Sequence, residues 1–146
     1  MDHVAIMTKG SGYIEKILDG VKTIESRWYV NKIAPWDKIY SGEMIYFKYA
    51  GSSIIAKAEV AEVEQFDKLT LTKIHTILSE HDRARKIGFD PIKLENEDPE
   101  YYSKKHYCIL IHLINPTKIE EFNIDKKGFG VSCAWMCVPD INKIKI

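Results

Sequence analysis

The feature that most constrains the fold is Tyr107–Ile114, a nearly continuous apolar run in the second half of the chain. A strand that is apolar on both faces must be covered on both faces, so this run predicts the central strand of a sheet, ending at Asn115–Pro116. Two earlier runs, Met44–Tyr49 and Ile54–Val63, are joined by a short Gly-Ser segment and predict a hairpin. In the second of these runs, small apolar residues at alternate positions from Ile54 predict the inward face.

Apolar spacing also predicts two helices. The shorter one runs through residues 13–18, with Ser11 as its cap and Gly20 in the left-handed position after its last turn. The longer one spans Thr70 to about Lys86. The remaining predicted elements are strands at His3–Met7 and Lys118–Asn123, a buried segment at Val131–Val138, a loop over Gly88–Glu100 and a helical turn at Pro99–Tyr102.

This pattern of short strands and few helices predicts an α+β protein that is mainly β. We expect a small mixed or antiparallel β-barrel of about six strands, with helices flanking or plugging its openings. At 146 residues, the chain is expected to form one domain, residues 1–146.

The charge balance limits the possible partners. The chain has 21 basic and 21 acidic residues and a formal net charge of zero, which disfavours a strongly basic protein that binds any nucleic acid. No apolar run approaches the roughly 18 residues of a membrane helix, and residues 1–4 do not start a secretory leader. With three cysteines in no secreted framework, we expect a cytoplasmic protein that does not contact a membrane.

One stretch combines charge of both signs with aromatic surface. It is the charged segment, residues 20–29, which begins at Gly20 and contains Lys22, Glu25 and Arg27 directly before Trp28. In an extended chain Glu25 and Arg27 share one face, and Lys22 points the other way. This composition suits a polar ligand that carries a ring and a phosphate. The alternative is a surface ion pair of little energetic value.

A second candidate is the loop Lys126–Gly130. Its lysines, Lys126 and Lys127, and its backbone amides could hold a phosphate, while Phe129 could stack on a base. Trp135 follows and could also meet a ligand there. The alternative is a polar hairpin loop with Phe129 in the core.

Metal and cofactor chemistry is not predicted. Cys133 and Cys137 are separated by three residues without a second ligand pair, and the histidines are scattered. The glycine-rich loop of nucleotide-hydrolysing proteins is also missing from the sequence. We therefore expect neither a bound metal nor a cofactor.

The charged segment resembles the signature of the ASCH domain, Gly-x-Lys-x-x-Glu-x-Arg, with Gly20, Lys22, Glu25 and Arg27 at its fixed positions. Gly42–Phe47 is similar to the next element of that family, a glycine and an acidic residue entering a strand. The resemblance implies a PUA-like β-barrel. It also implies a cleft between barrel and helices that receives RNA or a nucleotide and is lined by the three charged side chains.

Some small members of that family are amidohydrolases of acetylated cytidine, which use a lysine, a threonine three residues later and a glutamate on a later strand. Here Glu25 occupies the threonine position, which argues against that activity. The leading hypothesis is an RNA- or nucleotide-binding domain in which Trp28, Phe129 or Trp135 stacks on a base. The alternative is a small hydrolase of a modified nucleoside or of RNA, with Lys22 and Glu25 as its acid/base pair. A third possibility is that Glu25 and Arg27 pair only for structure.

Overall fold

A computed structural model describes residues 1–88 and 99–146 of the chain. The strands in this part of the chain are β1 (Asp2–Met7), β2 (Ile24–Tyr29), β3 (Met44–Tyr49), β4 (Ile54–Phe66), β5 (Tyr107–Phe122) and β6 (Trp135–Val138). The helices are α1 (Tyr13–Leu18), α2 (Leu71–Ser79), α3 (Arg83–Ile87) and α4 (Pro99–Ser103), with a 3-10 turn at Ile141–Lys143.

The strands form one curled sheet in the order β2-β5-β4-β3-β1-β6. β1 pairs in parallel with β3 and antiparallel with β6, so the sheet is mixed. The sheet is a half-barrel, with β2 and β6 at the two ends of the strand order. The predicted mainly β, α+β fold of about six strands with flanking helices is confirmed.

The apolar run that begins at Tyr107 is the first half of β5, between β2 and β4. Its residues from Cys108 to Ile111 are completely buried, as a central strand requires. The prediction that Asn115–Pro116 ends the strand is wrong. Asn115 adopts a positive φ of 53°, and the register against β4 shifts between Lys57 and Glu59, so the chain passes through an irregularity and continues in the same strand. The separate strand predicted at 118–123 is the second half of β5.

The hairpin of β3 and β4 is confirmed, and β4 continues to Phe66, beyond the predicted end. The alternating side chains of Ile54, Ala56 and Ala58 are completely buried, as predicted. Because the side chains of Ala56 and Ala58 are small, β4 can approach the layer packed against it closely there. Ala56 and Ala58 belong to the first core cluster with Phe47 and the buried residues of α1, whereas Ile54 belongs to the third.

The single helix predicted from Thr70 to Lys86 is wrong, because the structure has two helices with a break between them. Thr70 caps α2, its side chain accepting from the amide of Lys73 at 3.1 Å. The break occurs at His81 and Asp82, which have positive φ values of 53° and 57°. The sequence pattern could not reveal this turn, because the apolar spacing continues through both helices.

The buried side chain of Arg83 explains the break between α2 and α3. Its guanidinium donates to the carbonyl of Ile77 at 3.2 Å and to Oε1 of Glu64 at 3.0 Å. The first bond satisfies a carbonyl in the last turn of α2, and the second fastens α3 to β4.

The smaller predictions have different outcomes. The N-cap of α1 is Gly12, not Ser11, although Ser11 Oγ accepts from the amide of Tyr13 at 3.4 Å. Gly20 has a φ of 78° after α1, as predicted. Val131 is fully exposed, so the buried C-terminal segment is shorter than predicted and its strand begins at Trp135. The loop predicted over Gly88–Glu100 falls largely outside the described residues, but the turn at Pro99 is present as α4.

We expect Arg83→Ala to lower the free energy of unfolding by about 2 kcal/mol, because it leaves the Ile77 carbonyl and the Glu64 carboxylate short of a donor. Chemical denaturation measures this loss. The matched control is Arg85→Ala. Arg85 is exposed and pairs with exposed Asp82, so we expect a change within about 0.5 kcal/mol. Equal losses in both variants would contradict the assigned role of Arg83.

Candidate ligand-binding cleft

A cavity of about 320 Å³ lies where β2 meets the end of β1, α1, α3 and α4. Its walls include the charged side chains of Lys22, Glu25 and Arg27. Aromatic residues from three separate elements complete the walls, and we call this space the first cavity. The aromatic residues are Tyr13, Trp28, Tyr29, Tyr101 and Tyr102.

Lys22 is 3% exposed, and its ammonium is already engaged. Nζ donates to the carbonyl of Ile24 at 2.8 Å and to that of Ile87 at 2.6 Å. It also lies 5.1 Å from the ring centroid of Tyr13. Burial lowers the pKa of Lys22, and the neighbouring Glu25 opposes that effect. Lys22 therefore anchors β2 to the end of α3.

Glu25 is 5% exposed and is the least satisfied group of the cavity. Its Oε1 lies 3.7 Å from Nε of Arg27, and its buried Oε2 accepts no hydrogen bond within the described part of the chain. Buried carboxylate oxygens normally have partners, so this one is a vacant acceptor in the cavity wall.

The side chain of Arg27 packs against Trp135 of β6 and against Ala134, the residue that precedes this strand. Its guanidinium carbon lies 5.1 Å from the ring centroid of Trp135, and Nη1 donates to the carbonyl of Ala134 at 3.3 Å. Nη2 lies 3.5 Å from Sδ of Met7. Nε is buried and donates no hydrogen bond to the described residues. The guanidinium is thus oriented by its neighbours but retains unused donor capacity.

The predicted alternation separated Lys22 from Glu25 and Arg27, whereas in the structure all three line the first cavity. The physical reason is that Lys22 precedes β2, which begins at Ile24, and so does not follow strand geometry. The amide of Thr23 donates to the carbonyl of Lys86 at 2.9 Å, which binds this turn to α3. Contacts between distant parts of the sequence therefore bring Lys22 to the site.

The aromatic wall combines predicted and unpredicted residues. Trp28 is mostly buried, and its indole N–H donates to Ser26 Oγ at 3.1 Å. The ring of Tyr102 meets it edge-on at a centroid distance of 5.9 Å, and burial raises the pKa of Tyr102 to about 12. Tyr101 and Tyr13 were not predicted, because no local spacing links them to the charged segment. The adjacent tyrosines Tyr101 and Tyr102 after Pro99 were the sequence pattern from which this part of the aromatic wall could have been predicted.

Trp135 is fixed by a buried hydrogen-bond chain that the sequence did not reveal. Its indole N–H donates to Nδ1 of His3 at 3.1 Å, and Nε2 of His3 donates to Oε1 of Glu43 at 2.9 Å. An indole N–H can only donate, so Nδ1 of His3 must be unprotonated for this chain to form. Burial lowers the pKa of His3, with the contacts to Glu43 opposing it.

The Lys126–Gly130 loop does not contribute to the first cavity. Lys126 lines a second cavity of about 360 Å³, which shares Ile6, Met7 and Thr8 with the first. Phe129 packs against the third core cluster, and the backbone amide of Lys127 donates to Asp125 at 2.9 Å. Of the predicted binding residues, Lys22, Glu25, Arg27 and Trp28 converge on one cavity, with Trp135 beneath Arg27.

Three further observations concern the described residues. They contain no group of three or more side chains suited to holding a metal ion. The helices they form are too short or too polar to span a bilayer. Cys108, Cys133 and Cys137 are free thiols, and burial raises the pKa of Cys137.

No protein-family model and no curated protein matches the sequence. Solved structures match it in fold. The crystal structure of ASCH from Zymomonas mobilis aligns over 94% of this chain and 87% of its own, with 17% identity and a TM-score of 0.64. A point mutant of that protein aligns over 97% and 93%, with 15% identity and a TM-score of 0.66. The N-terminal domain of Staphylothermus marinus McrB aligns over 82% and 74%, with 12% identity and a TM-score of 0.51.

These alignments cover most of the chain, and the chain therefore has the fold of an ASCH domain. The curled, mainly β sheet with few helices matches the PUA-like architecture. The fold that the resemblance of the charged segment implied is confirmed.

We expect stability to fall as the pH drops below 6.5, the ordinary pKa of histidine. Because the pKa of His3 is lower in the folded state, the unfolded chain takes up a proton there that the folded chain excludes. The contribution of His3 is complete above pH 6.5 and decreases by at most about 1.4 kcal/mol per pH unit down to its folded pKa. Denaturation at pH 7.5 and 5.5 measures the loss.

The matched variant is His3→Gln, whose amide can replace both hydrogen bonds but does not titrate. We expect its stability to change less between the two pH values. An identical pH dependence in the two proteins would assign the effect to other groups.

Proposed function

We propose that this chain is a binding domain for RNA or a nucleotide-like ligand, with a base held in the first cavity. The observation that carries the proposal is the buried, vacant Oε2 of Glu25 beside the oriented guanidinium of Arg27, inside an aromatic-walled cavity. The fold shared with ASCH structures, and the signature that Gly20, Lys22, Glu25 and Arg27 fit, support the same function. We further propose that residues 1–146 are one cytoplasmic domain.

The size and chemistry of the cavity suit a single base. A volume of about 320 Å³ is at the small end of ligand pockets. Glu25 can only accept hydrogen bonds when ionised, so it favours a ring that bears an exocyclic amine. Arg27 provides N–H donors for the phosphate or a carbonyl edge.

The aromatic residues supply the stacking surface. The ring of Trp135 is covered by the guanidinium of Arg27, so we assign stacking to Trp28 and to the tyrosines around it. Tyr101 is 49% exposed in the cavity wall, where Nζ of Lys105 lies 4.2 Å from its ring centroid, and a base that stacks there would share the ring with that ammonium. Stacking is tolerant of base identity, and discrimination therefore rests on Glu25.

Hydrolysis is the weaker candidate. An acid/base role for Lys22 requires an ammonium that can reach a substrate, but Nζ donates to two backbone carbonyls. Both bonds favour the protonated form and orient it toward the protein. The position of Lys22 therefore suits a structural role in the cavity wall better than a role in proton transfer.

We expect Arg27→Ala to weaken binding of a short single-stranded RNA at least tenfold, because it removes the donors at the cavity wall. Fluorescence anisotropy with a labelled oligonucleotide measures the affinity, and thermal denaturation measures the fold. Arg85→Ala, which removes an exposed arginine of α3, is the matched control and should bind like the wild type. Unchanged affinity in Arg27→Ala, or a collapse of the fold alone, would contradict the proposal.

We expect the wild type to bind cytidine monophosphate more tightly than uridine monophosphate, because only cytosine offers an amine to Glu25. In Glu25→Gln this preference should fall about tenfold, since a charge-assisted acceptor is lost while the size is kept. Calorimetric titration of both nucleotides gives the ratio. Equal wild-type affinity for the two nucleotides would remove the role assigned to Glu25.

A further inference from the structure

The second cavity adjoins the first across the end of β1. Ile6, Met7 and Thr8 line both spaces and form the ridge between them. Arg27 of the first cavity donates to the carbonyl of Ala134, a residue that lines the second. A chain-like ligand could therefore pass directly from one space to the other.

Lys48 is the unusual residue of the second cavity. It is 9% exposed, and among the residues that the structure describes it has no hydrogen bond and no ion pair. The register of β3 against β4 shifts between Phe47 and Lys48, so both side chains are buried in succession. Burial lowers the pKa of Lys48, and the nearby charge of Lys126 lowers it further.

The stem of Lys48 is buried while its ammonium stays in contact with solvent, so an anion that enters the second cavity can pair with it. The rest of the lining suits such an anion. Lys126 and the hydroxyl-bearing Ser132 face the same space, and no carboxylate or aromatic ring is among the lining residues described. Gly51 and Ala134 leave room near the lysine. The space can therefore hold a compact anion, but it offers no surface for stacking a base.

We propose that the second cavity binds a backbone phosphate of a single-stranded oligonucleotide whose neighbouring base occupies the first cavity. The ligand is then at least a dinucleotide that crosses the Met7–Thr8 ridge. Lys48 and Lys126 neutralise the phosphate, and Ser132 donates a hydrogen bond to it. This inference rests on the proposed function of the first cavity. It adds that the ligand is at least two nucleotides long and places a backbone phosphate in the second cavity.

The test compares a tetranucleotide with cytidine monophosphate on the wild type and on Lys48→Met, which keeps the apolar stem and removes the charge. The wild type should bind the tetranucleotide at least tenfold more tightly than the mononucleotide. Lys48→Met should lose this advantage and bind the mononucleotide as before. The slope of log affinity against log salt for the tetranucleotide should decrease by about 0.7, the value for one phosphate contact.

Lys118→Met is the matched control, because Lys118 is exposed on β5 and lines neither cavity. It should leave both affinities unchanged. If both ligands bind the wild type and Lys48→Met changes neither affinity nor salt slope, the second site is overturned while the proposed function stands. If neither ligand binds, both are overturned. If added inorganic phosphate weakens the mononucleotide and the tetranucleotide equally, the second cavity is not a separate phosphate site.

Discussion

The burial of β5 on both faces is the constraint on which the rest of the structure depends. Its completely buried residues from Cys108 to Ile111 require a layer on each side, and the two largest core clusters provide these layers. β5 also pairs with β2 on one side and β4 on the other, so it fixes the position of the charged segment relative to the sheet. The site is therefore held by a strand that contributes no side chain to the cavity.

Three charged side chains meet at this site, the buried Lys22 and Glu25 and the partly buried Arg27, and they differ in how fully they are hydrogen-bonded. Lys22 is bonded to two carbonyls, Arg27 is oriented by Trp135 and Ala134, and Glu25 keeps a vacant oxygen. A folded protein normally pairs such groups completely, and departures from that rule are concentrated at functional sites. The unequal distribution of hydrogen bonds distinguishes the fully bonded Lys22 from Glu25 and Arg27, which keep unused hydrogen-bonding atoms.

The structural elements that depend on a local sequence pattern were predicted correctly. The hairpin of β3 and β4, the helix stop at Gly20 and the central strand at Tyr107 all follow from apolar period or from glycine, and all are present. The pattern could not predict the break before Arg83 or the continuation through Asn115, because each is stabilised by partners distant in sequence. The same limit applies to the site, where Tyr101 and His3 belong to it only through the path of the chain.

The bond from Lys22 to Ile87 has an electrostatic consequence for the cleft. Ile87 is the last residue of α3, so its carbonyl lies at the helix end that carries partial negative charge. An unopposed helix end of that sign in the wall would repel a phosphate group. The ammonium of Lys22 neutralises it from within the protein, so the carboxyl terminus of α3 can border the first cavity without adding to the negative charge of Glu25.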